Sequence, residues 1–221
     1  MKFDNIKQAN IIISRLQNGK SFLINQLLGC DIMSIDQTIH VPLVVYCCTK
    51  KQYDLRSRYH SNDSRVILHA KWQSDVMLNC EYESYQSFTS TLKRMHWNSK
   101  LNIDHFEIFI HEHDEAFNDM VFIESLSYFK ATNLLHLIKP LLTKYVVISD
   151  TSFHFRAQIE EQVKKETNKF MWINMRDEHR LIGHDKERKS LQNIIKLNEF
   201  THGSNQVEKV KEWIMKEIEN D

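Results

Sequence analysis

Glycine and proline are scarce: the chain of 221 residues has 4 glycines and 2 prolines. So few glycines leave few places where the backbone can turn left-handed or press against a ligand without strain. A site that needs several of them is expected to be reduced. Charge of one sign is also lacking, since 29 Lys and Arg balance 29 Asp and Glu. Without a basic excess no global field collects nucleic acid or anionic lipid, and nucleic acid is not an expected partner. The cysteines Cys30, Cys47, Cys48 and Cys80 include an adjacent pair but no Cys-x-x-Cys spacing. That argues against a zinc site and a disulfide framework, and for a reducing compartment. No apolar run is long enough to span a bilayer, and Met1-Lys2-Phe3-Asp4-Asn5 has no signal-peptide apolar core. A soluble, cytoplasmic protein without an integral membrane segment is expected.

What is present centres on residues 11–29. Ile11-Ile12-Ile13 reads as a buried strand, and a polar turn follows that ends in Gly19-Lys20-Ser21. Phe22, Leu23, Ile24, Leu27 and Leu28 then recur at helical spacing, and Gly29 stands where a helix would stop. Strand, Gly-Lys-Ser turn and helix together are the context in which this motif holds phosphate. Backbone N–H groups of Gln17, Asn18, Gly19 and Phe22, with the positive end of the helix, would face the anion. Lys20 would neutralise β and γ oxygens, and Ser21 would take a place on Mg²⁺. The full pattern has a further Gly five positions before Gly19, where this chain has Ser14. The competing reading is a structural strand–turn–helix.

Further strands are expected at 43–48, 65–72, 105–110, 120–123, 145–149, 170–173 and 194–197. Helices are expected at 84–96, 134–142, 157–165 and 207–218, with 50–64 as a loop. Strands alternating with helices imply a mostly parallel central sheet covered on both faces, a three-layer α/β fold. No repeat, low-complexity tract or linker divides residues 1–221, so one domain is the simplest organisation.

In such a sheet, ligands bind beyond the carboxyl ends of the strands. After the strand at 170–173 comes Asn174-Met175-Arg176-Asp177, and after the last strand Thr201-His202-Gly203. A carboxylate such as Asp177 accepts from both N1–H and the exocyclic amine of guanine, and the Asn174 amide can meet the other ring edge. Asn and Asp are also common in plain turns, which is the alternative.

These residues carry a family resemblance. The chain resembles P-loop GTPase domains, and within them the dynamin-like proteins, particularly the bacterial ones. Gly19-Lys20-Ser21-Phe22-Leu23-Ile24-Asn25-Gln26-Leu27-Leu28-Gly29 matches that family's Gly-Lys-Ser-x-Leu-Ile-Asn-x-Leu-Leu-Gly. Thr38 to Pro42 matches its switch threonine ahead of a strand, and the helix near 84–97 fits dynamin-like domains better than small Ras-like ones. Ile173-Asn174-Met175-Arg176-Asp177 matches the guanine motif, with Met175 in place of the usual Lys. Phe200-Thr201-His202-Gly203 resembles the last guanine loop.

The resemblance implies GTP or GDP as ligand, with Mg²⁺ on Ser21 and Thr38. Its third motif, Asp-x-x-Gly, is here Glu124-Ser125-Leu126-Ser127, so Glu124 would reach the ion with one more methylene. Asp150 follows a later strand and reads as a helix cap. The P-loop arginine of some large GTPases falls on Gln17, and Arg15 is out of register. Lys20, Thr38 and Glu124 are the candidate catalytic residues, and binding is better supported than hydrolysis. Slow Mg²⁺-dependent GTP hydrolysis as a nucleotide switch is the leading expectation; the alternative is a degenerate pseudo-GTPase serving as a protein-interaction module. A kinase-like transferase is weighed third and lacks an Arg-rich lid. A homodimer across the nucleotide or a protein partner is implied. With no stalk or membrane-touching tip before Asp221, membrane fission by this chain alone is not expected.

Other clusters have plainer readings. His111-Glu112-His113-Asp114-Glu115 suggests metal but is expected to be a polar hairpin between two strands. Cys47 and Cys48 cannot share one strand face, and no spacing supports redox chemistry. Lys164-Lys165 and Asp185 to Lys189 are read as solvated faces, and Trp172 and Trp213 as core.

Overall fold

A computed structural model gives the architecture and describes residues 6–14, 19–32, 41–58, 63–72, 75–97, 103–125, 128–149, 170–174, 194–196 and 205–216. The strands are β1 (Gln8–Ile13), β2 (Leu43–Cys47), β3 (Val66–Trp72), β4 (Asp75–Tyr82), β5 (His105–Ile110), β6 (Met120–Ser125), β7 (Leu142–Ser149), β8 (Phe170–Asn174) and β9 (Ile194–Lys196). The helices are α1 (Lys20–Leu28), α2 (Lys50–Asp54), α3 (Tyr85–Trp97), α4 (Tyr128–Ile138) and α5 (Asn205–Met215), with a short 3-10 turn at Glu115–Phe117.

All nine strands join in one sheet, in the order β4-β3-β5-β2-β6-β1-β7-β8-β9. The run β6-β1-β7-β8-β9 is parallel throughout. β2 is parallel to β5 but antiparallel to β6, and β3 is antiparallel to both β4 and β5. The sheet is therefore mixed and mostly parallel.

Side-chain alternation along the strands feeds two separate cores, as a doubly covered sheet requires. Ile12, Val45, Cys47, Leu68, Ile108, Phe122 and Val146 face a core shared with Leu23, Ile24 and Leu27 of α1, Phe88 and Leu92 of α3, and Val207, Val210 and Ile214 of α5. Ile11, Ile13, Val44, Tyr46, Phe109, Val121 and Val147 face the other core, with Tyr53 of α2 and Leu134 of α4. Burial of both faces explains why the strands read as continuous apolar runs.

Several sequence expectations change here. Residues 50–64 are not all loop: Thr49 caps α2, its hydroxyl accepting from Gln52 N while the Gln52 side chain accepts from Thr49 N. This reciprocal pair is a capping box, and Thr-x-x-Gln is its sequence mark. β4 was not expected; it returns on β3 as a hairpin, with a bulge between Ala70 and Lys71. Residues 111–115 do not form a hairpin, because β2 lies between β5 and β6 in the sheet. The helix placed at 134–142 lies earlier, at Tyr128–Ile138, and Leu142 already belongs to β7. Pro140 disfavours helical backbone at Lys139, which takes φ 51 and ends the helix. Cys47 and Cys48 do point oppositely, yet both are fully buried because each face of the sheet has its own core. The helix expected at 157–165 and the cap expected at Asp150 lie outside the described residues.

Candidate functional site

The site is assembled where β1 passes into α1. β1 occupies the middle of the sheet between β6 and β7, and every one of its residues is buried. Ser14 follows its last residue and is itself fully buried. Gly19 adopts φ 72, ψ 11 just ahead of α1, a left-handed conformation that a residue with Cβ takes only at a cost. The first turn of α1 carries no acidic side chain and no side-chain cap. Its leading N–H groups and the positive end of its dipole thus meet no carboxylate from that turn.

Lys20 and Ser21, the first residues of α1, are nearly buried at 4% and 8% exposure. The Lys20 ammonium donates to Ser14 Oγ at 2.9 Å. Ser21 Oγ donates to Glu124 Oε2 at 2.8 Å. Glu124 comes from β6, in register with Ile12 of β1, and this pairing carries its carboxylate to the end of the sheet where α1 begins. Parity puts Glu124 on the same face as Phe122, which is the face α1 covers.

Burial dominates the electrostatics of both charged groups. It pulls the Lys20 amine below the usual lysine range, against the opposing pull of Glu124. It likewise pushes the Glu124 carboxyl up, against the Lys20 charge and the Ser21 hydrogen bond. Each charge opposes the effect that burial has on the other. A hydroxyl and a carboxylate at hydrogen-bond distance are hard oxygen donors, the chemistry that Mg²⁺ prefers.

Of the residues singled out in the sequence, Gly19, Lys20, Ser21 and Glu124 come together at this edge. Phe22 is half-buried and packs against the core under α1. Asn174 is the last residue of β8, in register with Ser149 of β7 and Lys196 of β9. Since β8, β7 and β1 run parallel, it marks the same end of the sheet as Ser14. Gln17, Asn18, Thr38, Arg176, Asp177, Thr201 and His202 lie outside the described residues. His111 and His113 are occupied by backbone carbonyls, of Ser64 at 3.3 Å and Cys48 at 3.2 Å, and no group of metal-ligating side chains is found among the described residues. Sequence reading missed what Ser14 does. It stood out only as an absent glycine, though a hydroxyl closing a strand beside a buried lysine is a legible acceptor.

Among the described residues no helix is long and apolar enough to cross a membrane. No protein-family model matches the sequence, and no curated protein matches it. Among solved structures, the chain is similar in fold to one described as an oligomerised bacterial dynamin pair that provides a mechanism for the long-range sensing and tethering of membranes. The TM-score is 0.58 at 11% identity, covering 97% of this chain and 34% of that one. Another structure described in the same words has a TM-score of 0.48 at 11% identity, covering 86% of this chain and 30% of that one. The chain therefore spans about a third of the length of the dynamin structure it matches. Over nearly its whole length this chain has a fold like that of part of a bacterial dynamin.

Proposed function

We propose that the chain binds a guanine nucleotide with Mg²⁺ at the β1–α1 turn and hydrolyses GTP slowly, as a nucleotide switch. The observation that carries this reading is the Ser21–Glu124 hydrogen bond beside a buried Lys20, at the carboxyl edge of a mostly parallel sheet. Such a pair of oxygens is where a metal-bound polyphosphate would enter. Left-handed Gly19 leaves room for backbone to come close to a phosphate, and Gln17 and Asn18, which precede it in the sequence, are further candidates for such contacts. The open N-terminus of α1 and the Lys20 ammonium balance their charge. Ser21 and Glu124 would hold the ion, and Thr38 is a further candidate ligand from the sequence. Mg²⁺, when bound, supplies the charge that neutralises β and γ oxygens.

Base choice rests on Asn174, with Arg176 and Asp177 following β8, and on Thr201 and His202 near the last loop. A carboxylate at Asp177 pairs with guanine and not with adenine. Hydrolysis is slow in this reading because the transition state lacks two aids. Gln17 stands where an arginine would reach the phosphates, and Ser127 stands where the motif has glycine. The nucleotide-bound chain acts by pairing with a second copy across the ligand or by docking a protein partner.

A second reading is a degenerate pseudo-GTPase serving as a protein-interaction module. What favours it is that Lys20 and Ser21 already have partners within the chain, in Ser14 and Glu124. Titration with fluorescent GTP and ATP analogues, with and without Mg²⁺, followed by phosphate release, separates the two. Mg²⁺-dependent binding selective for GTP, with release above a Lys20→Ala control, is expected. Selective binding without release leaves a nucleotide-gated scaffold, and no binding sinks the proposal.

A further inference from the structure

We propose that Ser14 is the positioning residue of this site: its hydroxyl holds the Lys20 ammonium in place for the polyphosphate, so the missing glycine is a gain of function. The inference rests on the nucleotide-binding reading above. Three observations lead to it. The Lys20 ammonium donates to Ser14 Oγ at 2.9 Å, and Ser14 is fully buried while Lys20 is 4% exposed. Ser14 is absent from the residues with positive φ, which among the described non-glycine residues are Asp119 and Lys139. The backbone at this position therefore does not demand glycine, and the side chain is accommodated without strain.

A lysine side chain is a flexible stem with three donors on its tip, and fixing it costs rotamer entropy. A buried acceptor at the end of β1 meets that cost before any ligand arrives. One N–H points to Ser14, which fixes the direction in which the ammonium lies. Ser14 thus does with a side chain what a glycine-rich turn does with close-packed backbone. This suits a chain that has 4 glycines in all.

The test compares the wild-type protein with Ser14→Ala, Ser14→Cys and Ser14→Gly for Mg²⁺-dependent binding of a fluorescent GTP analogue. Cysteine keeps the volume with a weaker acceptor, so it guards against a packing defect, and glycine restores the motif without the hydroxyl. Removing an acceptor from a charged donor is expected to weaken binding roughly tenfold in all three. In nucleotide-free protein, acylation of Lys20 read by peptide mass spectrometry is expected to accelerate in the variants. A merely structural serine would leave that rate unchanged in the folded Cys variant. Tighter binding by Ser14→Gly, or unchanged affinity and unchanged Lys20 acylation in Ser14→Cys, overturns the inference and leaves nucleotide binding standing. Absence of nucleotide binding by the wild type overturns both.

Discussion

Ser21 Oγ and Glu124 Oε2 stand 2.8 Å apart although 103 positions separate them in the chain. The parallel pairing of β1 with β6 brings Glu124 opposite Ile12, and the turn after β1 brings Ser21 back over the strand end. The carboxylate is 5% exposed, so the contact is held in a medium where an ion would be stabilised or missed acutely.

Glu124→Gln keeps an acceptor for Ser21 and removes the charge. In Mg²⁺ the affinity for GTP is expected to fall about tenfold or more, while affinity measured in EDTA changes little. Since the substitution leaves the buried Lys20 ammonium without the opposing charge of Glu124, the protein is expected to be less stable in urea. Equal Mg²⁺ dependence in variant and wild type would detach Glu124 from the ion.

The other acid of note, Glu107, lies on the opposite face of the sheet. His105 Nε2, His69 Nδ1 and Lys71 Nζ approach its oxygens at 3.7, 3.5 and 3.7 Å, and Tyr46 donates to it at 3.4 Å. Burial raises its pKa, but hydrogen bonds from His105 and His69 and the Lys71 charge prevail and bring it to about 2. A carboxylate depressed in the folded state contributes stability at pH above its ordinary range. That contribution is lost as pH falls from about 4.5 toward 2. Its size is on the order of 3 kcal/mol. Urea denaturation across that window should show the loss in the wild type and a shallower slope in Glu107→Gln.

Lys144 is the buried cation that the proposed function leaves unused. From β7 it donates to the Trp213 carbonyl at 2.8 Å, the Ile214 carbonyl at 2.7 Å and the Lys216 carbonyl, capping the end of α5. Gln8 of β1 reaches the Ile214 carbonyl too, at 2.9 Å. Lys144→Met leaves those carbonyls short of donors and is expected to cost about 2–4 kcal/mol, with hydrogen exchange rising first in α5. Burial, with Lys216 nearby, lowers the Lys144 pKa to about 8. The unfolded chain keeps this proton to higher pH, so stability should rise between about pH 8 and pH 10 in the wild type and lack that rise in Lys144→Met.

Gly29 closes α1 at φ 69, ψ 21, and its N–H returns to the Asn25 carbonyl. With Gly19 at φ 72, both glycines of the described residues take left-handed backbone. Gly29→Ala is expected to cost about 1 kcal/mol in thermal or urea unfolding without altering nucleotide affinity. A neutral result would mean that the C-cap relaxes to a conformation alanine accepts.

The sequence was most legible where burial on both faces wrote a continuous apolar run. β1, β2, β5, β6, β7 and β8 were each expected near their observed spans, and Gly29 was read as the stop of α1. β4 was missed because it lies at the sheet edge, where Val76 and Met77 are 45% and 60% exposed and no buried stripe marks it. α2 was missed because it is short, with Tyr53 as its buried residue; its capping box was the available clue. The hairpin expected at 111–115 failed because sequence neighbours need not pair: β2 slips between β5 and β6, running antiparallel to the latter. At the site, Lys20, Ser21 and Glu124 could be named from local motif alone. Ser14 was noted only as an absent glycine; its hydroxyl was legible as an acceptor, but its pairing with Lys20 depends on where the turn delivers the lysine.

The measurement that bears most directly on the central claim is calorimetric titration of the full chain with GTP in Mg²⁺, beside Lys20→Ala and GTP without Mg²⁺. The account predicts saturable one-site binding by the wild type, weakened at least tenfold by either change. Equal heats and affinities for wild type and Lys20→Ala, or no binding by the folded wild type, would contradict it.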